Sequence, residues 1–535
     1  MKSGRRELWM VLALLAVAPA LLYLPGFGHD FVYDDHGQLE ENPFLQNPEN
    51  VREVLMLGTL GDARVINGRR PFVLLTYFSD RAVWGARAAG YRLTNFAAHA
   101  GSVWLFFFLL LRLSGRRAFS FSAALLFSLH PVLIEAVHVP AFRPDVFCGL
   151  FSFAFLLAAV RTEMKTARQT ALAAVLLWLA LCSKEAAAVL PAVLAGVWIC
   201  LPQTRLPVRR MALLLAVSLG LVLLFMKLSS GSGLQAVGGA WNGRSLQPPH
   251  NFFTSPWLFL RMVGLLAVPW PLVADRVVLP VTSTADLRFA AGLLAVAVCL
   301  CAAIFFLRRK PWISLSLGWM LAAYLPVSSL VPLFNPLAER YLYFMAAGFC
   351  ILPAHLLTSD GGSRSAATVS MGVIASKALL GFICVLYLLI GWIRMPAWKN
   401  DVALWTRTLA DEPNSMRARV WLALDLKEQG RREEALTLLD EAIRINPQDV
   451  SGFINRGILW GEMGYYDRAE ADLAEAVRRR PESSSAHWNL AVMLQHKGDI
   501  GGMLRELEKT LELNPEHEKA LQVKKSLESA VPENR

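Results

Sequence analysis

Between Leu8 and about Arg394 the chain returns repeatedly to apolar runs long enough to cross a bilayer. Such runs leave a backbone few options. In hydrocarbon every peptide N–H and C=O has to be satisfied within the protein, which favours helices. The segments Leu8–Leu24, Leu93–Leu113, Ala118–Leu133, Val146–Val160, Ala171–Cys182, Ala186–Leu201, Met211–Lys227, Leu287–Leu307, Trp312–Leu330, Leu342–Leu357 and Ala378–Ile393 predict about eleven spans. A further stretch, Trp257–Val273, is broken by Pro269 and Pro271. The chain is 55% hydrophobic over 535 residues, too apolar for a soluble protein of this size.

Beyond Trp398 the composition changes. Charge becomes dense and no run spans. Pro413, Pro447, Pro481 and Pro515 recur every 34 residues, as do Gly430, Gly464 and Gly498. Ala423, Gly457 and Ala491 keep the same period, and so do Ala435 and Ala469, with Met503 breaking it. This is the tetratricopeptide (TPR) period: small residues where paired helices approach, and Pro where the second helix stops. The fold class is therefore all-α. A polytopic membrane domain occupies 1–397, a linker helix 398–413, three repeats with a capping helix 414–527, and a tail 528–535. Such arrays present a concave groove for protein segments; a rigid spacer or a dimerisation surface is the plainer use.

The net charge of +11 belongs to topology, not to nucleic acid. Lys2, Arg5 and Arg6 hold the N-terminus in the cytoplasm, and alternate loops carry Arg116-Arg117, Arg161/Lys165/Arg168 and Arg205/Arg209/Arg210. Arg308-Arg309-Lys310 joins them inside only if Trp257–Val273 does not cross, so that stretch is read as re-entrant or interfacial. The loop 25–91 and the repeats then share the outer side. The first apolar run continues past Ala18-Pro19-Ala20, which favours an uncleaved signal anchor over a cleaved signal peptide. The seven cysteines all lie in or beside apolar runs and form no CxxC pair, so they read as small core residues.

Unusual polar residues gather on that outer side. Asp34, Asp35 and His36 follow the first span. Arg70 and Asn95 flank an amphipathic stretch, Phe72–Trp84, suited to lying along the membrane surface. His130, Glu135 and His138 follow span three, Arg143 and Asp145 open span four, Lys184 and Glu185 join spans five and six, and Arg340 leads into span ten. Charge at membrane depth is costly and marks a site or a pathway. Taken singly, each has a duller reading as a helix-end ion pair or a core histidine. A channel would thread its charges through the bilayer and a proton-coupled transporter would hold them at the midplane. Charge crowded at one interface suits a reaction on a lipid-linked donor. Asp34, Asp35, His36, His130 and His138 offer a mixed metal set, but no HExxH-like spacing supports one.

The stretches "FVYDDHGQLEENP", "RRPFVLLTYFSDRAVWG", "GYRLTNFAAHA", "LFSLHPVLIEAVHVPAFRPD", "CSKEAAAVLPAVL", "LAERYLYF" and "WKNDVALWTRTL", followed by TPRs, resemble the TMTC-type O-mannosyltransferases. These are relatives of the protein O-mannosyltransferases in the GT-C superfamily. The resemblance covers essentially the whole chain. It implies a GT-C fold, an outward-facing site, a polyprenyl- or dolichyl-phosphate sugar donor, usually of mannose, and a Ser/Thr acceptor on an exported protein. It implies no metal, and it maps the catalytic carboxylate onto Asp34, with Asp35 orienting it, binding sugar hydroxyls or serving as the base itself. A Ser/Thr hydroxyl needs a base, and a departing phosphate needs positive charge, for which Lys184, Arg143 and Arg340 are the candidates. Arg70, His130, Glu135, His138, Asp145 and Glu185 are further candidates for substrate contact. His29, Asp30 and His36 are left to interfacial solvation. No Asn-x-Ser/Thr sequon or ER-retention tail is present, which favours a bacterial inner membrane, with site and repeats periplasmic, over the ER and its lumen. Two other functions stay open: a GT-C enzyme acting on an envelope glycan or lipid, and a non-catalytic TPR scaffold. The loop Ser229–Pro256 has no assignment.

Overall fold

The computed structural model describes residues 2–62, 64–161, 165–201, 206–230, 246–358 and 366–530, with no strand among them. Arg205, the tail 531–535 and residues 231–245 of the unassigned loop lie outside the described residues. The chain divides into two compact units, Met1–Asn400 and Asp401–Arg535.

Among the described residues of the first unit seven helices are long and apolar enough to cross a membrane: Arg5–Gly26, Ala88–Ser114, Pro140–Ala159, Val208–Leu228, Leu287–Phe306, Glu339–Thr358 and Val373–Trp398. An eighth candidate, Arg117–Leu129 with Pro131–His138, bends by 50°. The bend sits at His130, whose extended backbone is what a residue before proline adopts. Three shorter apolar helices, Thr166–Leu181, Glu185–Cys200 and Pro311–Val327, account for the remaining predicted segments. Two boundaries differ from the sequence reading. The α-helix expected to reach Leu330 ends at Tyr324, because Pro326 brings no N–H and clashes with the preceding turn. The stretch expected at Trp257–Val273 is a helix over His250–Ala267, which starts seven residues earlier and stops before Pro269.

The segment 25–91 is folded as a cap. Asn42-Pro43 and Asn47-Pro48 each start a short helical turn: the Asn carboxamide accepts the backbone N–H of Phe44 or Glu49, and Pro fills the first helical position. Phe31, Leu39, Leu45, Val54, Val73, Leu74, Tyr77, Phe78 and Tyr91 form its core. The helix Pro71–Trp84 contributes Val73, Leu74, Tyr77 and Phe78 to that core, at helical spacing. This corrects the expectation that it lies on the membrane, since its apolar stripe is already covered by protein.

The second unit is a TPR α-solenoid. It opens with Asp401–Asp411, whose Trp405 ring stacks on Trp421 at 6.3 Å. Helix pairs Met416–Glu428/Arg432–Ile445, Ser451–Glu462/Tyr466–Arg479 and Ser484–Lys497/Ile500–Leu513 follow, then Glu518–Ala530. The glycine period has a backbone cause. Gly430, Gly464 and Gly498 have φ of 79°, 83° and 81°, the left-handed turn that ends each first helix. The alanine period is steric: Ala435 and Ala469 are fully buried between helices, and Met503 fills the same place in the third repeat.

Candidate active site

The two adjacent aspartates have different surroundings. Val32 to Asp35 form a turn closed by the Asp35 N–H on the Val32 carbonyl, with Tyr33 held at φ 57°. A left-handed aromatic residue is uncommon and costs about 1–3 kcal/mol, a strain that tends to collect at functional sites. Asp35 is fully buried. Its carboxylate accepts the Ala141 N–H at 2.7 Å and the Val32 N–H at 3.2 Å. Burial nevertheless pushes it up to about 7, against the opposing pull of those N–H groups and of Arg92. Asp34 is half-buried, and Arg340 lies within its electrostatic reach.

The arginines expected to bind phosphate also part company. Arg143 is fully buried. Its guanidinium donates to the Asp80 carboxylate, to Asn95 Oδ1 at 2.7 Å, to Thr76 Oγ1 at 3.1 Å and to the Tyr91 carbonyl at 2.9 Å, and it lies over the Tyr77 ring. Four acceptors occupy this fork, and through them Arg143 holds the cap helix Pro71–Trp84 to the start of Ala88–Ser114. Arg70 pairs with both oxygens of Glu185, at 3.1 and 3.4 Å, and with Asn67 at 3.1 Å. That pair ties the cap to the 184–189 turn.

The two candidate histidines also have partners within the fold. His130 is fully buried; its Nδ1 accepts the Val132 N–H and its Nε2 meets the Leu266 carbonyl at 3.0 Å, which caps the turn after the bend. His138 is buried and its Nε2 lies 3.2 Å from His29 Nδ1.

What remains is one cluster. Both Glu135 oxygens are held by Arg340, through its backbone N–H at 2.8 Å and its side chain. The Arg340 guanidinium lies 4.0 Å over the Phe142 ring and 5.2 Å from the Tyr341 ring. Lys184 Nζ lies 5.1 Å from the centre of the same Tyr341 ring and donates to Asp145 Oδ1 at 2.6 Å. Two cations thus converge on Tyr341, and Asp34 lies within electrostatic reach of Arg340. A cavity of about 20 Å³, bounded by Asp145, Cys148, Ser152, Lys184, Tyr341 and Tyr343, lies beside them, room enough for one water-sized group. Among the described residues, no three His, Cys, Asp or Glu side chains come together as a metal-ligating group.

Sequence reading passed over three residues that shape this site. Arg92 is buried and donates to the carbonyls of His29 and Asp30, and to that of His138 at 3.3 Å, so it supports the acidic turn from beneath. Asp80 is the partner of Arg143. Glu339, buried beside Arg340, accepts the Val273 N–H. An intramembrane-type charge inside each quoted motif was the available signal.

The tetratricopeptide repeat family profile matches residues 401–450 and 456–502. Protein O-mannosyl-transferase F38B6.6 of Caenorhabditis elegans is 24% identical over 469 residues, which is 83% of this chain and 63% of that protein. Protein O-mannosyl-transferase TMTC1 of Mus musculus is 30% identical over 226 residues, 40% of this chain and 23% of that one. The chain therefore spans less than two thirds of the length of these relatives. Among solved structures, the TPR protein YrrB aligns at 19% identity and a TM-score of 0.23, over 42% of this chain and 99% of its own. The resemblance read from the motifs agrees with these relatives: the chain is similar to TMTC-type O-mannosyl-transferases, carries TPRs, and among its described residues holds several helices long and apolar enough to cross a membrane.

Proposed function

We propose that this relative of the TMTC-type protein O-mannosyl-transferases transfers a sugar, mannose by the names of its relatives, from a polyprenyl- or dolichyl-phosphate to Ser/Thr hydroxyls of exported proteins. The observation that carries the reading is the half-buried Asp34 within electrostatic reach of Arg340, with Arg340 and Lys184 both close to the Tyr341 ring. The acceptor hydroxyl attacks the anomeric carbon as the bond from that carbon to the phosphate oxygen breaks. Asp34 takes the hydroxyl proton, and the lipid phosphate leaves with its electron pair. One displacement inverts the anomeric centre.

Arg340 and Lys184 sit where developing phosphate charge is stabilised by fixed cations in a partly dry setting. Asp35 does not touch substrate in this account. It holds the turn that carries Asp34 against Ala141. The site and the TPR unit face the periplasm or ER lumen, and the repeats hold the acceptor, which raises its local concentration. Glycoproteomics of cells lacking the protein tests the acceptor class. Loss of Ser/Thr-linked hexose from exported proteins supports the reading; a change confined to envelope glycans or lipids transfers the activity to those acceptors, and an unaltered glycome in both argues for a scaffold.

A further inference from the structure

The two halves of the candidate site are far apart in sequence: the acidic turn at 29–35 and the Glu339-Arg340-Tyr341 segment. One short stretch touches both. Arg394–Asn400 spans the end of the last apolar helix and includes the turn Met395–Trp398, of which Met395, Ala397 and Trp398 are buried.

On the acidic side it makes three contacts. The Asp30 N–H donates to the Lys399 carbonyl at 3.0 Å. The His29 ring lies within reach of the Trp398 backbone. Gly26 packs directly on Met395, since a Cβ there would lie 2.7 Å from its Sδ and 2.4 Å from His138 Cε1. On the basic side, Arg394 lies 3.9 Å from Glu339, the residue before Arg340. Glu339 is itself anchored by the Val273 N–H and faces Arg276 at 3.7 Å. Arg394 also lies over the Trp398 ring at 5.0 Å, which links the two sides within the stretch itself.

We infer that Arg394–Asn400 is a positioning brace, which sets the placement of the Asp34 turn relative to Arg340 by binding the acidic turn on one side and Glu339 on the other. It touches neither sugar nor phosphate. Its work is to keep the base and the cation in register, where a misplacement of about 1 Å costs on the order of 100-fold in rate. This inference rests on the roles of Asp34 and Arg340 proposed above.

The test perturbs the brace at its basic end and reads the acidic end. In full-length protein, Arg394→Gln is compared with wild type by amide hydrogen exchange over residues 25–40 and by steady-state transfer. The expected result is about 10-fold faster exchange at Asp30 and its neighbours, with the Ala88–Ser114 helix and the TPR helices unchanged. Transfer should lose about 10- to 100-fold in kcat while the KM for the lipid donor stays within about twofold. Glu339→Gln, which keeps an acceptor for the Val273 N–H, should act in the same direction and covers the case in which Arg394→Gln fails to fold. Wild-type exchange in the acidic turn, wild-type kcat, or faster exchange spread evenly over the first unit overturns the brace. If wild type itself transfers no sugar, the functional reading fails while the exchange comparison still decides the brace.

Discussion

The Asp35 carboxylate and the Ala141 N–H, 106 positions apart in the chain, meet at 2.7 Å. That bond fastens the acidic turn to the segment Pro140–Phe142, where the Phe142 ring supports both Tyr33 and Arg340. It also separates the roles of two neighbouring aspartates. Asp35→Asn keeps one acceptor but puts an NH2 donor where the second carboxylate oxygen met a backbone N–H, so the turn should hold less firmly without losing its base. The expected outcome is a fall of about 10-fold in kcat, with the remaining activity abolished by adding Asp34→Asn. Asp35→Asn activity as low as that of Asp34→Asn would make Asp35 the base.

The same carboxyl predicts a pH dependence. Its pKa rises from 3.8 to about 7 on folding. Between those values the native state holds a proton that the unfolded state has released. The stability it contributes is therefore complete below about 4 and is lost as pH rises to about 7. Thermal unfolding of the wild type in detergent, followed between pH 4 and 8, should show this decline. In Asp35→Asn that component of the slope should vanish; an unaltered slope would remove Asp35 as its source.

Arg143 is expected to matter for folding. Arg143→Met leaves Asp80 buried and unpaired, at a cost of about 3–5 kcal/mol. Adding Asp80→Asn should recover much of that loss. A double-mutant cycle on thermal stability measures the coupling, and additive effects would contradict the assignment.

Much of the architecture was legible because periodicity and length act locally. Apolar run length marks spans, and the 34-residue period marks paired helices whether or not their partners are known. The cap was not legible as a fold, because its core joins Phe31 and Tyr91 across short polar turns that carry no long periodic pattern. The site was legible in its residue types but not in its pairings. Arg143, His130 and Arg340 all read as polar groups at a membrane edge. Arg143 meets Asn95 across 48 positions, His130 meets Leu266 across 136, and Arg340 meets Glu135 across 205. Only the fold shows which donors are already occupied.

The glycine period gives a prediction for the second unit. At Gly464, φ is 83° and no atom would obstruct a Cβ, so the cost of Gly464→Ala is backbone strain alone. About 1–2 kcal/mol should be lost, read as earlier melting of the TPR unit. Sugar transfer to a short peptide, which needs no repeat groove, should be unchanged; a matching loss there would couple the repeats to chemistry.

The central claim is that Asp34 is the base of a sugar transfer to a protein hydroxyl. Purified full-length protein, supplied with a polyprenyl-phosphate mannose donor and a Ser/Thr peptide, tests it most directly by mass spectrometry of the peptide. The account predicts one hexose per modified hydroxyl with wild type, and none with an Asp34→Asn variant that unfolds at the wild-type temperature. Equal transfer by the two proteins would contradict it.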